Sequence, residues 1–372
     1  MKLKIGVTGK NGFLGYHLCS TIKHKHQKLK LIDFKREYFN SPSNLDKFTS
    51  QCDIIVHLAG INRADDQSKI KELNIGLAKK IRDSLERISF KGKLIFSSST
   101  QENNLSAYGS SKKKAREIFE NSANKNNYNF IGLLIPNIFG PFCRPNFNSF
   151  ISTFSNDIIN NNIPKIIDDN EINLVYVSSV VKQIINLFNT STSQKLVLNH
   201  DKTLSVSLTL DKLKNFYSSY VINGNIPVFY SSFDLNLFNT FRSFIDLDKF
   251  FPRTLIKNSD ERGFFSEVIR TESRGQFSFS STNPEFTRGN HFHTRKIERF
   301  TVIQGEAIIE MRKIGDEKIY SFSLNGNQPS YVDMPVWYTH NIKNISNVPL
   351  ITLFWINEPF TIKDPDTFYE IV

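Results

Sequence analysis

Tyr108 and Lys112 stand four residues apart, and His291, His293, Glu298 and His340 form a second set whose types could hold a metal ion. Four residues is little more than one helical turn, so a helix beginning near Tyr108 places the phenol and the ammonium on one face. A neighbouring ammonium lowers a phenol pKa from about 10 and eases proton transfer to a carbonyl oxygen as hydride arrives at its carbon. Ser99 follows a predicted strand ahead of the pair and would hydrogen-bond the same oxygen, with Ser97 and Ser98 as competitors. In the second set, His291 and His293 lie at strand spacing and point to one side of a sheet. Three imidazoles and a carboxylate converging inside a barrel suit Zn²⁺ or another divalent ion, with an open position for water or a substrate oxygen.

A third set lies near the start of the sequence. Thr8-Gly9-Lys10-Asn11-Gly12-Phe13-Leu14-Gly15 follows an apolar strand over 3–8 and precedes an amphipathic helix over 13–22. Gly9 allows a tight turn, Gly12 lets backbone approach a pyrophosphate, and Gly15 lets helix and strand pack closely, while the helix N-terminus offers N–H groups to phosphate. Asn11, Phe13 and Leu14 of this turn, with Leu58-Ala59-Gly60 after a later strand, are the other candidates to line a dinucleotide. Asp33 closes the second strand and would accept from ribose hydroxyls, favouring NAD(H). Lys35 and Arg36 follow at once and would neutralise a 2′-phosphate, favouring NADP(H), so both cofactors stay open at this point.

These groups need elements to hold them. Strands over 3–8, 29–33, 53–58, 93–96 and 129–135 alternate with helices over 13–22, 70–87 and 112–120, the pattern of βαβ units in a Rossmann-like, doubly wound parallel α/β sheet. From about Phe251 the segments become short, aromatic and β-branched, broken by Gly or Pro, as in an all-β sandwich or barrel. The expected domains are therefore 1–250, with a substrate-binding part from about 137, and 251–372. The net charge of +11 is spread along the sequence without a helix-turn-helix, finger or RNA-binding signature; no nucleic acid is expected, and a diphosphate ligand fits equally well. Cys19, Cys52 and Cys143 form no Cys-x-x-Cys motif, which suits a reducing cytoplasm. No apolar run reaches membrane length and the N-terminus reads as structure rather than signal peptide, so no membrane is expected.

The glycine turn, His57-Leu58-Ala59-Gly60, Ser97 to Ser99, the Tyr108/Lys112 pair and Pro136-Asn137-Ile138-Phe139-Gly140-Pro141 together resemble the extended short-chain dehydrogenase/reductase family. The resemblance implies catalytic roles for Tyr108, Lys112 and Ser99 and a substrate contact at Asn137, although Asn137 by residue type could equally cap a turn. The interval from Ser99 to Tyr108 is shorter than is usual there. His-x-His-x4-Glu-x6-Gly followed by Pro-x4-His-x3-Asn resembles the two cupin motifs, implying a jelly-roll barrel whose metal ligands are His291, His293, Glu298 and His340. Trp337 stands where cupins usually carry Gly, and would be strained if that turn requires positive φ.

A reductase followed by a cupin, with Pro145-Asn146-Phe147-Asn148-Ser149, Lys257 to Gly263, Gly289-Asn290-His291 and Thr339-His340-Asn341, resembles the CapF-type family of capsular polysaccharide biosynthesis enzymes over essentially all 372 residues. That resemblance implies conversion of UDP-2-acetamido-2,6-dideoxy-β-L-arabino-4-hexulose to UDP-2-acetamido-2,6-dideoxy-L-talose, a precursor of UDP-N-acetyl-L-fucosamine for capsule or O-antigen polysaccharide. It implies C3 epimerisation by the cupin, C4 reduction by the reductase with NADPH, and a homodimer. Arg144, Arg262 and Arg288 are candidates for the nucleotide-sugar substrate; Arg262 could equally pair with Asp260 or Glu261. Tyr338, His293 and Glu267 are candidate epimerase bases, each open to a structural or metal-ligating role. Two other readings are a dTDP-4-keto-sugar epimerase/reductase and a non-catalytic NADP-binding sensor or scaffold, the latter opposed by the retention of Tyr108, Lys112 and the four ligand candidates.

Overall fold

The computed structural model describes residues 2–63, 66–255, 258–260, 263–265, 276–358 and 362–372. Arg262 and Glu267 lie outside the described residues. Internal contacts divide the chain into two units, Met1–Thr153 with Ile166–Leu208, and Phe154–Lys165 with Thr209–Val372. Residues 209–250 thus group with the C-terminal strands, whereas the composition change alone puts the boundary at 250.

The first unit contains strands β1 (Leu3–Thr8), β2 (Leu29–Ile32), β3 (Ile54–His57), β4 (Lys93–Ser99), β5 (Asn129–Ile135), β6 (Asn137–Phe139), β7 (Glu171–Tyr176), β8 (Gln194–Val197) and β9 (Lys202–Ser205). Six of them form a parallel sheet in the order β2-β1-β3-β4-β5-β8, and β6-β7-β9 form a smaller one. Every residue of β3 and β4 is buried, as expected of apolar strands covered on both faces. Helices α1 (Phe13–Lys25), α2 (Pro42–Ser50), α3 (Gln67–Arg87) and α4 (Ala107–Asn126) connect the strands. An aromatic cluster that includes Phe34, Phe48, Phe96, Phe119 and Phe130 fills the core with Ile55 and Leu94. Chain order reverses between β1 and β3, so the crevice beyond their carboxyl ends is where such a sheet takes a ligand.

The second unit is β-rich. Its strands are β10 (Arg253–Thr254), β11 (Asn258–Asp260), β12 (Gly263–Phe265), β13 (Gln276–Thr282), β14 (Thr287–Phe292), β15 (Glu298–Gln304), β16 (Glu306–Lys313), β17 (Ile319–Asn325), β18 (Ser330–Met334), β19 (Tyr338–Asn344), β20 (Leu350–Ile356) and β21 (Phe368–Tyr369). They pair antiparallel into a β10-β18-β15-β20-β13 sheet, a β17-β16-β19-β14-β21 sheet and a β11-β12 hairpin, a cupin-like arrangement. Alternation along β15 sends Glu298 and Arg299 to opposite faces. Arg299 meets Asp333 of β18 through two bonds of 2.7 and 3.0 Å, both side chains buried, and donates to the Gly224 carbonyl at 2.9 Å. Tyr220 donates to the same carboxylate, and Arg242 to the Met334 carbonyl at 2.8 Å. These bonds fasten the helical stretch around 217–242 to β15 and β18, which is why it belongs with the strands.

Glu102 fixes the link between β4 and α4. Its fully buried carboxylate accepts from Ser98 at 2.8 Å, Arg116 at 3.0 Å and Lys195 at 2.9 Å. Burial raises a carboxyl pKa, but these partners, Arg116 first, hold this one below its ordinary value. A single 3-10 turn (Thr100–Asn103) and the Ser106 N-cap complete the link, and a side chain at Gly109 would lie 2.2 Å from the Gln101 carbonyl, so only glycine allows so short a connection. Glu102→Ala would leave Arg116 buried without its main partner, and is expected to destabilise the protein by about 3 kcal/mol, read as a lower midpoint in thermal or urea unfolding.

Candidate active sites

The carboxyl ends of the central strands open into a cavity of about 840 Å³ lined by Gly9, Asn11, Gly12, Phe13, Leu14 and Gly15 from the first turn, Leu58 and Gly60 after β3, Ser97 to Ser99, Tyr108, Lys112, Asn137 and Arg144. Gly9 has φ +76, and a Cβ on Gly15 would stand 2.1 Å from the Gly9 carbonyl oxygen. Gly12, the N-cap of α1, supplies no side-chain cap, so the first N–H groups of the helix are left for a ligand. These residues fit a dinucleotide pyrophosphate. Thr8 ties the two strand ends together, its hydroxyl 2.7 Å from His57 Nδ1 and accepting from the Ala59 N–H at 3.3 Å. Ala59, Asp33 and Arg36 do not line the cavity. Asp33 is exposed and ion-paired with Lys10 of the glycine turn, which neutralises the acid that would favour NAD, and Arg36 is exposed beyond it.

Tyr108 sits in the first turn of α4 and Lys112 one turn later. The three serines separate by their bonds: Ser97 donates to the His57 carbonyl at 3.3 Å and Ser98 to Glu102, while Ser99 is hydrogen-bonded to the Tyr108 phenol. The expected lowering of the phenol pKa is not what the protein does. Burial pushes Tyr108 up to about 12, opposed by the Ser99 bond, and pushes Lys112 down to about 8. Desolvation is the largest cause for both groups. The Lys112 ammonium lies 4.7 Å from the centre of the Phe96 ring. Buried His57, lowered to about 3 by burial and then by Lys112, is a neutral packing residue stacked on Phe96.

In the second unit, donor atoms of His291, His293, Glu298 and His340 all lie within 4.8 Å of one another. Glu298 comes from one sheet, His291 and His340 from the other, and His293 from just past the end of β14. The Nε2 atoms of His293 and His340 approach the same Glu298 oxygen at 3.0 and 3.1 Å. Their Nδ1 atoms face the carbonyls of Asp366 at 2.6 Å and Tyr338 at 3.2 Å, leaving Nε2 free to ligate. Burial raises the Glu298 carboxyl, yet His293 and His340 more than offset this and hold it well below the carboxylate range. His291 is lowered to about 4, by burial and then by the other two imidazoles, which keeps its lone pair available. Three imidazoles and one carboxylate suit a divalent ion of the zinc class.

Trp337 has φ +63 and is almost wholly buried, its ring stacked 5.6 Å from Phe292; its backbone N–H donates to the His293 carbonyl at 2.8 Å. The turn does need positive φ, and packing holds a Trp there. Asn344 is a structural residue, donating to the Thr282 and Val348 carbonyls. Arg288 is exposed on β14, its guanidinium bonded to the Thr282 hydroxyl and the Ser281 carbonyl. Among the base candidates, His293 has Nδ1 on the Asp366 carbonyl and Nε2 turned into the ligand cluster, while burial raises the Tyr338 phenol.

Residues 5–196 match the NAD dependent epimerase/dehydratase family, and residues 258–368 match the polysaccharide biosynthesis C-terminal domain. The chain is 32% identical, over 98% of both sequences, to the UDP-2-acetamido-2,6-beta-L-arabino-hexul-4-ose reductase of Pseudomonas aeruginosa. It is 30% identical to the capsular polysaccharide assembling protein CapF from Staphylococcus aureus, whose crystal structure aligns over 100% of both chains with a TM-score of 0.60. The chain belongs to the CapF-type family. It is accordingly a member of an NAD(P)-dependent UDP-sugar reductase/epimerase family of capsular polysaccharide biosynthesis. The fold of its N-terminal unit is also that of RMD from Pseudomonas aeruginosa complexed with NADPH, at 16% identity, 57% of this chain, 82% of the other and a TM-score of 0.52.

One residue of the CapF-type cleft is not marked by any motif. Asn74 is buried on α3; its side chain accepts from the Ile61 N–H at 2.8 Å and donates to the Ile61 carbonyl at 2.7 Å and to Ser111 at 3.0 Å. It clamps the backbone just beyond Gly60, in the cavity wall beside Lys112. Its signal in the sequence is position, since it falls on the apolar face with Ile70, Ala78, Ile81 and Leu85. Asn74→Leu strands the Ile61 peptide groups, and the expected outcome is a loss of about 2 kcal/mol in unfolding free energy with weakened NAD(P)H binding by fluorescence titration.

Proposed function

We propose that the protein is a bifunctional enzyme that inverts C3 and reduces C4 of UDP-2-acetamido-2,6-dideoxy-β-L-arabino-4-hexulose, forming UDP-2-acetamido-2,6-dideoxy-L-talose. The observation that carries this reading is one chain holding both Ser99, Tyr108 and Lys112 in a dinucleotide-shaped cleft and a buried cluster of three imidazoles and one carboxylate. The name of the Pseudomonas relative supports the substrate. In this reading, the unit of residues 1–153 and 166–208 carries the reductase and the unit that includes 251–372 the cupin of a cytoplasmic homodimer.

NADPH bound along the glycine turn would supply hydride to C4. Tyr108, protonated at neutral pH because burial holds it near 12, donates its proton to the C4 oxygen, which Ser99 hydrogen-bonds. Lys112, charged below about 8, stabilises the phenolate left behind. Asn137 and Arg144, on the cavity wall, hold the substrate. Zn²⁺ or a similar ion held by His291, His293, Glu298 and His340 would supply Lewis acidity at the ketone oxygen. The ketone acidifies the C3 hydrogen, so a proton can leave one face and return on the other. Reduction at C4 then removes that ketone and locks the new configuration, which sets the order of the two steps.

Product NMR from the UDP-4-keto sugar and NADPH in deuterated water tests both halves. The wild type is expected to give the talo product deuterated at C3. Tyr108→Phe should stop reduction but leave C3 exchange, and His291→Ala should stop the exchange. Absence of NADPH oxidation with every UDP- or dTDP-4-keto sugar would defeat the enzyme reading. Because kcat/KM reports free-enzyme groups, its value for ketone reduction should fall as pH rises through about 8 and Lys112 loses its charge, with Tyr108 still protonated there.

A further inference from the structure

We propose that the C-terminal strap, residues 362–372, is a positioning element for the metal ligands, with Asp366 as its working residue. This rests on the reading that His291, His293, Glu298 and His340 bind a divalent ion. His293 Nδ1 lies 2.6 Å from the backbone carbonyl of Asp366. A carbonyl can only accept, so Nδ1 carries a proton and Nε2, which faces Glu298 at 3.0 Å, is the nitrogen left to ligate an ion.

The Asp366 carbonyl is itself held in place. Asp366 has φ +41, a left-handed conformation that Asp and Asn tolerate better than other side-chain-bearing residues. Its carboxylate is 1% exposed and accepts from the Thr294 hydroxyl at 2.5 Å, the Thr294 N–H at 3.2 Å and the Arg295 N–H at 3.0 Å. Lys296, also buried, donates to the Pro365 carbonyl at 2.7 Å, and the Arg295 guanidinium pairs with Asp364 at 2.9 Å. Four consecutive residues, starting at one ligand and leading toward Glu298, therefore each bond to Asp364, Pro365 or Asp366. Further along the strap, Tyr369 pairs in register with His291, and the Phe368 ring packs 5.4 Å from Phe292.

A strap serving only stability would have no reason to terminate on an imidazole nitrogen. This one sets the protonation site of His293, fixes the path to Glu298 and adds a strand beside His291. The substitution that separates the roles is Asp366→Ala, which removes the carboxylate anchor and the tolerance for left-handed φ and so lets the carbonyl swing away from His293. Asp366→Asn keeps the conformation and an acceptor for the Thr294 and Arg295 amides.

The test uses the full chain, stripped of metal, with Zn²⁺ affinity read by competition against a chromophoric chelator and ligand geometry read from the Co²⁺ absorption spectrum. Asp366→Ala is expected to weaken zinc binding about 10- to 100-fold and to alter the cobalt spectrum, with NADPH binding unchanged. Asp366→Asn should restore most of the affinity. Ile309→Ala, in the buried core of the same unit, serves as a control that lowers stability without touching the strap. Wild-type zinc affinity and cobalt spectrum in Asp366→Ala, or equal weakening in Ile309→Ala, overturn the positioning role while the metal reading stands. A wild type that binds neither ion overturns both.

Discussion

An ionised carboxylate can leave water only where donors or positive charge surround it, and each unit of the protein is organised around one that does. In the first, Glu102 gathers Ser98, Arg116 and Lys195 and thereby sets the short turn that brings Ser99 and Tyr108 together. In the second, Glu298 gathers two imidazoles and spans the space between two sheets. Neither acid could be replaced by an apolar side chain of similar size without the partners losing what holds them. The two sites thus share a construction although their folds do not.

Desolvation acts in opposite directions on the groups it touches in the cleft. It moves the Tyr108 phenol up and the Lys112 ammonium down, so the phenol holds its proton firmly while the ammonium gives its proton up at about 8. Spacing along a helix says that two groups can meet, but says nothing of how much water they lose on doing so. The second quantity decides their proton affinities.

Much of the architecture was legible because it depends on local rules. The β1-turn-α1 opening follows from glycine spacing and the common side of His291 and His293 from strand period, whereas Glu298 and His340 beside them and a positive φ at position 337 were expected from the cupin resemblance. Which of three adjacent serines meets Tyr108 was not legible, since it depends on Ser97 and Ser98 finding partners elsewhere. Asn74 was obscured because an amide on a polar helix looks like a solvent-facing one. Arg299 and Asp333 were obscured for a related reason: charged residues in strands suggest an exposed face, and only the helical stretch packed over them makes them buried. The role of Asp366 needed a contact across more than seventy residues.

The bonds that fasten Tyr220, Gly224 and Arg242 to the strands have a consequence for how such a chain can be divided. The family matches stop at residue 196 and resume at 258, so the stretch between resembles a spacer free to vary. Physically it is no spacer, because from Thr209 onward it shares contacts with the C-terminal strands. A cut at the edge of the second match would uncover Arg299 and Asp333 and trade a dry, rigid ion pair for a hydrated one. The span that the family match covers and the unit that folds therefore have different edges, and an excised C-terminal half would have to carry its own upstream helices to keep its shape.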